Sequence, residues 1–311
     1  MTGARILVVG EAITAFMTYP GESELAFHGP FPSGAPVIFA SASARLGAEV
    51  DLVAGVGDDA FGAQFRARLA RDGLALRNLV VDPVRPTASV FIWYEGGGRR
   101  KFGFHVEGSA ALSAGPETLD VDPPPDWLHV SGATLWFGGA TGETCWRAVE
   151  RAIRDGVRIS FDPNVRANDL SERTRRQFEV LLDAAEVVLA SAGELEALGG
   201  DEVAITGRGA IVCHKNGPNG ATVVTSDGRW RVPAPAVTEV DPDGAGDIFA
   251  AGFVVARLAG LDPVASARVA VQVASDSVGV RGPLESTIDS LDQYLARPSA
   301  TGLSASAQRM A

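Results

Sequence analysis

A carboxylate stands beside a run of small residues in the stretch DPDGAGDIFAAGF, Asp241 to Phe253. The small residues directly precede Asp247, and the apolar residues that follow have the spacing of a helix beginning at Gly246 or Asp247. Small residues let backbone N–H groups converge, and a helix N-terminus adds partial positive charge, so together they form an anion hole. Such a hole suits a phosphoryl group in transfer, and a carboxylate at its edge could take a hydroxyl proton. An ordinary N-cap aspartate in a turn is the alternative.

Composition and charge narrow the class of protein. Of 311 residues, 46% are hydrophobic and 21% are charged, as in a globular protein with a large core. The net charge of −11 argues against a nucleic-acid or membrane surface, since both need a basic face. Neither a signal-peptide pattern nor a membrane-length apolar run occurs, which predicts a cytoplasmic protein. Cys145 and Cys213 are predicted to be buried free thiols.

The order of elements predicts an α/β fold, with a mainly parallel sheet covered by helices on both faces. Short apolar runs such as Ile6–Val9 and Val187–Ala190 read as buried strands, and amphipathic stretches between such runs read as helices. We expect one domain over residues 1–297. Two ribbon-like segments, at about 13–32 and 86–106, are predicted to form a small β-sheet lid, and residues 298–311 a mobile tail.

Four motifs in this order resemble the PfkB, or ribokinase-like, carbohydrate kinases. DPDGAGDIFAAGF resembles their C-terminal signature, and GAPVIFASASARLGAEVDLVAGVGDDAFG resembles their N-terminal one. FDPNVR, Phe161 to Arg166, resembles the D-x-N-x-R segment of the sugar-acid and hexose kinases. HKNGPNGA, His214 to Ala221, resembles the K-x-G-x-x-G nucleotide-binding stretch. The resemblance implies a ribokinase-like fold and an ATP-dependent kinase, closest in pattern to the 2-keto-3-deoxygluconate kinases and fructokinases.

The resemblance also implies roles for individual residues. Asp247 would be the catalytic base, and the backbone amides of Gly244, Ala245 and Gly246 would hold the transferring phosphoryl group. Lys215, Gly217, Gly220 and Asn164 would contact the nucleotide, although Asn219-Gly220 could instead simply turn one strand into the next. Glu194 would organise Mg²⁺ through water, unless it is an ordinary surface glutamate. Asp241 resembles a position near which many members bind a monovalent cation such as K⁺, but Pro242-Asp243 departs from their pattern.

The acceptor site departs further from the family. Gly34, Ala35, Arg166, His105 and Phe31 are the candidate contacts of the acceptor. However, Ala15 and Ile38 stand where many members have a sugar-binding aspartate and asparagine. The loss of these two polar side chains predicts a more apolar pocket, which disfavours an ordinary pentose or hexose.

The lid carries basic residues that favour a sugar acid. Arg99, Arg100 and Lys101 are candidates for meeting an acidic substrate, or they are simply solvated beside a glycine turn. A kinase of a small sugar or sugar acid is therefore expected, with a 2-keto-3-deoxygluconate-like acceptor favoured over fructose, ribose or a nucleoside. The alternative from another class is a non-catalytic ligand-binding or regulatory protein of the same fold. A homodimer joined through the lid is expected from the resemblance, because an exposed ribbon edge invites pairing.

Overall fold

A ten-stranded sheet forms the centre of the molecule. The structure, a computed structural model, describes residues 4–23, 25–95, 99–119, 121–165, 170–297 and 308–310. The strand order is β14-β13-β12-β11-β10-β9-β8-β1-β4-β5, and the seven strands from β11 to β5 are all parallel. The strands are β1 (Arg5–Val9), β4 (Glu49–Gly57), β5 (Leu79–Asp82), β8 (Trp127–Ser131), β9 (Arg158–Asp162), β10 (Val187–Ser191), β11 (Ile211–Lys215), β12 (Ala221–Thr225), β13 (Gly228–Val232) and β14 (Gln308–Arg309).

Helices pack on both faces of this sheet, which confirms the predicted α/β class. Strand β1 shows why. Its side chains alternate, so that Ile6 and Val8 pack in one apolar core, and Leu7 and Val9 pack in a second apolar core on the other face of the sheet. The helices are α1 (Ala35–Arg45), α2 (Ala60–Arg71), α3 (Gly132–Phe137), α4 (Gly139–Asp155), α5 (Glu172–Ala184), α6 (Glu194–Ala197), α7 (Glu202–Gly207), α8 (Ala245–Leu258), α9 (Pro263–Ser277) and α10 (Leu291–Ala296). No helix in the described ranges is both long and apolar enough to cross a bilayer.

A separate four-stranded sheet is formed by the two predicted ribbon segments. It comprises β2 (Ile13–Met17), β3 (His28–Ser33), β6 (Ala88–Glu95) and β7 (Arg99–His105) in the order β3-β2-β6-β7. β2 and β6 pair in parallel, although each belongs to an antiparallel hairpin. We call this sheet the lid.

The chain ends differ from the sequence-based expectation at one point. The predicted tail lies outside the described residues at 298–307 and 311, but Gln308 and Arg309 form β14 and pair antiparallel with β13. For these two residues, strand pairing therefore replaces the predicted mobile tail, and it covers the edge of β13. Cys145 and Cys213 are buried free thiols as predicted, and burial raises the pKa of each to about 12.

Candidate active site

A cavity of about 290 Å³ lies between the lid and the carboxyl ends of the parallel strands. Strand ends at this edge of an α/β sheet are where such proteins bind ligands. Side chains reach the cavity from just after β1, β9 and β10, from the last residue of β11, and from the start of α8. The residues from these places that line it are Glu11, Asn164, Val165, Ser191, Glu194, Lys215, Gly244, Gly246 and Asp247.

The turn before α8 requires glycine at Gly244. This N-cap residue has φ 77° and ψ −8°, a left-handed conformation that residues with a side chain rarely adopt. A Cβ there would lie 2.8 Å from Cβ of Pro283 and 3.1 Å from Cδ1 of Ile38. Helix α8 begins at Ala245, one residue before the earlier of the two predicted starts, and Gly246 is exposed to the cavity. The N–H of Ala245 donates to the carbonyl oxygen of Pro242 at 3.3 Å. The other N–H groups in the first turn of a helix have no partner within it, so they present donors and positive potential to the cavity.

Asp247 lies in the first turn of α8, half-buried at the cavity wall. Nδ2 of Asn164 lies 3.5 Å from Oδ1 of Asp247 and 3.3 Å from the hydroxyl of Ser131. Among the described residues, Asn164 is the only non-glycine residue with a positive φ, 42°. Strained conformations of this kind cluster at functional sites, and here the conformation points an amide donor at the carboxylate.

Lys215 brings a positive charge to the same end of the cavity. Its Nζ lies 2.5 Å from Oδ2 of Asp162, and the two side chains are 12% and 1% exposed. Burial alone would lower the pKa of Lys215, but the charges of Asp162 and Glu194 outweigh it and raise the pKa. Lys215 is therefore a fixed cation, and its Nζ lies 3.5 Å from where a Cβ on Gly246 would be.

Part of the cavity wall, next to the turn before α8, is apolar. Gly34 and Ala35 line it as the sequence predicts, and Ile38 of α1 stands beside them, buried. A Cβ on Gly34 would lie 2.4 Å from the carbonyl oxygen of Glu11, so only glycine fits there. The lid contributes Val90, Ile92, Phe102 and Phe104, which close the wall from above.

Comparison with known proteins identifies the family. The model of the pfkB family carbohydrate kinases matches residues 4–290. The chain belongs to this family. It is 32% identical over 267 residues to the 2-dehydro-3-deoxygluconokinase of Thermoproteus tenax, covering 81% of each chain. It is 30% identical to the fructokinase of Klebsiella pneumoniae over 261 residues, 80% of this chain and 83% of that one. A candidate ribokinase II from E. coli, solved in complex with ATP and Mg²⁺, superposes with a TM-score of 0.82 at 27% identity. The match covers 94% of this chain and 98% of that one.

The remaining residues predicted for a kinase site are only partly brought together. Gly217 and Gly220 lie in the turn from β11 to β12, outside the cavity lining, and a Cβ on Gly220 would lie 2.0 Å from the carbonyl oxygen of Val232. This glycine is therefore needed for strand packing, whatever else it does. Arg166 lies outside the described residues.

Two predicted acceptor contacts lie away from the cavity lining. His105 is exposed on the opposite face of the lid, where its ring lies 5.7 Å from that of Phe91. Phe31 packs toward Gly282, since a Cβ there would meet its ring at 2.6 Å. Of the two replaced sugar-binding positions, Ile38 lines the cavity, whereas Ala15 is fully buried within the lid cluster.

Glu194 is held by the backbone of this kinase. Its Oε1 accepts from the N–H of Val165 at 3.0 Å and its Oε2 from that of Ser191 at 2.7 Å. Each carboxylate oxygen has two acceptor positions, so Glu194 can still receive a hydrogen bond from water. The described residues include no cluster of three or more histidine, cysteine or acidic side chains that could hold a metal. Mg²⁺ fits here nonetheless, because it keeps several waters and is bound largely by substrate phosphates.

Asp241, the predicted cation-site residue, is surrounded by hydrogen-bond donors. It is 2% exposed, and it accepts hydrogen bonds from the hydroxyls of Tyr19 and Tyr94 and from the backbone N–H groups of Asp243 and Gly282. The two tyrosines are functional candidates that sequence reasoning missed.

A second missed contact joins the lid to the catalytic turn. Nη1 of Arg100 on β7 lies 2.9 Å from Oδ1 of Asp243, and both residues line the cavity. The basic run on β7 was a signal for this contact, but its partner was not foreseeable, since 143 residues separate them.

Proposed function

We propose that this protein is an ATP- and Mg²⁺-dependent kinase that phosphorylates a hydroxyl of a small sugar or sugar acid, with Asp247 as the base. The observation that carries the proposal is the convergence of a carboxylate, a helix N-terminus and a buried lysine on one cavity. Phosphoryl transfer needs these elements, because its catalysis rests on positioning and on stabilisation of charge.

Each side chain then has a role that follows from its contacts. Bound ATP with Mg²⁺ supplies the phosphoryl group and neutralises phosphate charge. Asp247 accepts the proton of the acceptor hydroxyl, while the amide of Asn164 orients its Oδ1. Lys215 and the N–H groups of Gly244 and Gly246 stabilise negative charge on the transferred group, whereas the N–H of Ala245 must first leave the carbonyl oxygen of Pro242. Glu194 would hold a water bound to Mg²⁺, and the lid would exclude bulk water.

A 2-keto-3-deoxygluconate-like acceptor is favoured by the apolar wall. A 3-deoxy sugar acid has a methylene group where an ordinary sugar has a hydroxyl, and an unpartnered hydroxyl against Ile38 and Ile92 would cost about 1–3 kcal/mol. Arg100 can bind the carboxylate of the acceptor if it releases its present partner, Asp243. Fructose is the second candidate, because a relative of comparable identity is a fructokinase.

The test is ADP release with ATP and Mg²⁺ across a panel of sugar acids, ketohexoses, pentoses and nucleosides. We expect turnover with a 3-deoxy sugar acid, and a loss on the order of 10²–10⁴-fold in Asp247→Asn, the size of general-base catalysis. Asp262→Asn is the matched control, since Asp262 caps α9 away from the cavity and asparagine caps equally well. ATP binding without turnover on any acceptor would favour a non-catalytic ligand-binding or regulatory protein instead. Turnover that survives Asp247→Asn would remove its assigned role.

We further propose that two copies pair through the lid. The lid has two edge strands, β3 and β7, and an outer face of half-buried rings, among them Phe27, Phe91 and Trp93. Edge strands beside an apolar face favour self-association. Light scattering of the eluting protein should give the mass of a dimer, and that of a monomer for Trp93→Glu. A monomeric wild type at micromolar concentration would contradict this.

A further inference from the structure

The carboxylate of Asp241 has no acceptor position left for another ligand. Its Oδ2 accepts from the hydroxyl of Tyr19 at 2.7 Å and from the N–H of Gly282 at 2.9 Å. Its Oδ1 accepts from the hydroxyl of Tyr94 at 2.6 Å and from the N–H of Asp243 at 3.0 Å. A carboxylate offers about four lone-pair sites, and these four donors fill them.

The two tyrosines are built to act as donors. Tyr19 is 4% exposed, and its ring stacks on that of Tyr94 at 5.8 Å with an interplanar angle of 14°. Burial first, and then the neighbouring Asp241, raise the pKa of Tyr19 well above its usual value. Burial and the charges of Asp243 and Asp241 do the same to the pKa of Tyr94. Both hydroxyls therefore keep their protons throughout the working pH range.

The surroundings of Asp241 do not fit a monovalent cation. Such an ion needs oxygen lone pairs as ligands, but each Asp241 oxygen faces O–H and N–H hydrogens, which carry partial positive charge. The guanidinium of Arg281 also lies 4.3 Å above the ring of Tyr19 and is held by Glu22 at 2.7 Å. A guanidinium paired with Glu22 thus packs on the ring of a tyrosine that donates to Asp241.

We propose that Tyr19 and Tyr94 are positioning residues that hold the anion-hole turn through Asp241, in place of a monovalent cation. One carboxylate contacts both tyrosines and also the N–H of Asp243, which directly precedes Gly244. The shape of the turn therefore depends on the tyrosine hydroxyls, and activity does not depend on K⁺. This inference rests on the proposed kinase activity, but part of its test does not.

The first measurement compares the wild type in KCl, NaCl and choline chloride at equal ionic strength. The melting temperature, measured without nucleotide or acceptor, should agree within about 1 °C across the three salts, because a cation that does not bind at Asp241 cannot link binding there to stability. With the best acceptor, kcat should agree within about twofold. A K⁺-specific rise of melting temperature, or stimulation of kcat by K⁺ of tenfold or more, would overturn the proposal. If no acceptor turns over, the kinase assignment fails, but the melting comparison still tests the absence of a cation site.

The second measurement uses Tyr94→Phe and Tyr19→Phe, which remove one hydroxyl each. We expect kcat to fall about tenfold in each, with the KM for ATP changed less than about threefold, since a lost charge-assisted hydrogen bond is of that size and neither tyrosine lines the cavity. Tyr294→Phe is the matched control: its buried hydroxyl donates to Asp276 at 3.0 Å, away from the cavity. It should lower the melting temperature like the others while leaving kcat unchanged. Wild-type kcat in either tyrosine variant that folds would contradict the role of that residue.

Discussion

The two sides of the cavity differ in chemistry and in origin. The side assigned to the phosphoryl group carries Asp247, Asn164 and Lys215, which are tied to one another or to buried partners. The side assigned to the acceptor is an apolar wall of α1 and the lid, represented by Ile38 and Ile92. The first side lies at the strand ends of the large sheet. The second side combines residues of helix α1 with residues of the lid sheet.

This difference separates reaction from selectivity. A change on the phosphoryl side alters buried charges or backbone geometry, so it should affect every acceptor alike. A change in the wall alters which hydroxyls find partners, so it should affect acceptors unequally. The variants below test this division, and they run from the largest expected effect to the smallest.

Lys215→Met should have the largest effect. It removes the cation of the phosphoryl side and leaves Asp162, which is 1% exposed, without that partner. We expect kcat/KM to fall by about 10²-fold or more for every acceptor. The free energy of unfolding, from urea denaturation, should fall by about 3–5 kcal/mol, as when one partner of a buried ion pair is removed.

The double variant Lys215→Met/Asp162→Asn separates stability from activity. Because the buried carboxylate is replaced by a neutral amide, it should recover most of the lost free energy of unfolding while kcat/KM stays low. If activity returned together with stability, Lys215 would have only a structural role, and the phosphoryl side would have to be assigned differently.

Gly244→Ala tests the backbone of the anion-hole turn. The added Cβ meets Pro283 at 2.8 Å in a left-handed conformation, so we expect a loss of about 1–3 kcal/mol in the free energy of unfolding. Displacement of the turn should also lower kcat about 10- to 100-fold with all acceptors. Gly156→Ala is the control, because Gly156 has φ 70° at the end of α4 with nothing within 4 Å of its added Cβ. It should cost stability and leave kcat unchanged; equal kcat values in the two variants would argue against a catalytic turn.

The sequence alone could predict the strands and the turn that form the phosphoryl side, because these elements depend on residues close together in the chain. Buried parallel strands appear as apolar runs such as Val187–Ala190, and the stretch around Gly244 predicts both a turn and a helix within one residue of its true start. Asn164 comes two residues after β9 and Lys215 is the last residue of β11, so their approach to Asp247 follows from the parallel order of these strands.

The acceptor side could not be predicted in the same way. Strand β6 alternates Val90 and Ile92 toward the cavity with Phe91 and Trp93 on the other face, but both sets are apolar, so the pattern does not say which faces inward. The same ambiguity explains why the sequence could not show that His105 lies on the outer face.

Long-range polar partners were out of reach for a different reason. Tyr19 lies 222 residues from Asp241 in the chain, and only the folded lid brings them together. Strand β12 follows Asn219-Gly220, which the sequence left open as a turn between two strands or as part of a nucleotide motif.

Arg100→Gln sharpens the acceptor side. If Arg100 exchanges Asp243 for the carboxylate of the acceptor, the KM for a 3-deoxy sugar acid should rise about tenfold, as expected for a lost charge-assisted hydrogen bond. The KM for fructose should change less than about threefold, since fructose has no carboxylate and a partly exposed ion pair contributes little by itself. Arg99→Gln is the control, because Arg99 lies on the same strand but is highly exposed, and its ion pair with Glu95 is long, at 3.9 Å. An equal rise of KM for both acceptors would place Arg100 with the lid closure and not with carboxylate recognition.

Ile38→Asn should have the smallest effect, and it tests the wall itself. Asparagine can hydrogen-bond a hydroxyl of fructose but not the methylene group of a 3-deoxy sugar acid. The value of kcat/KM for fructose, divided by the value for the 3-deoxy sugar acid, should therefore rise about threefold to tenfold. Ile38→Val is the matched control, since it trims the same side chain without adding a polar group and should leave that ratio unchanged. Both variants withdraw Cδ1, which lies near Gly244, so a loss of kcat common to both acceptors reports on the turn. A ratio that did not move in Ile38→Asn would mean that the wall does not select the acceptor, and that selectivity lies with the charged residues of the cavity.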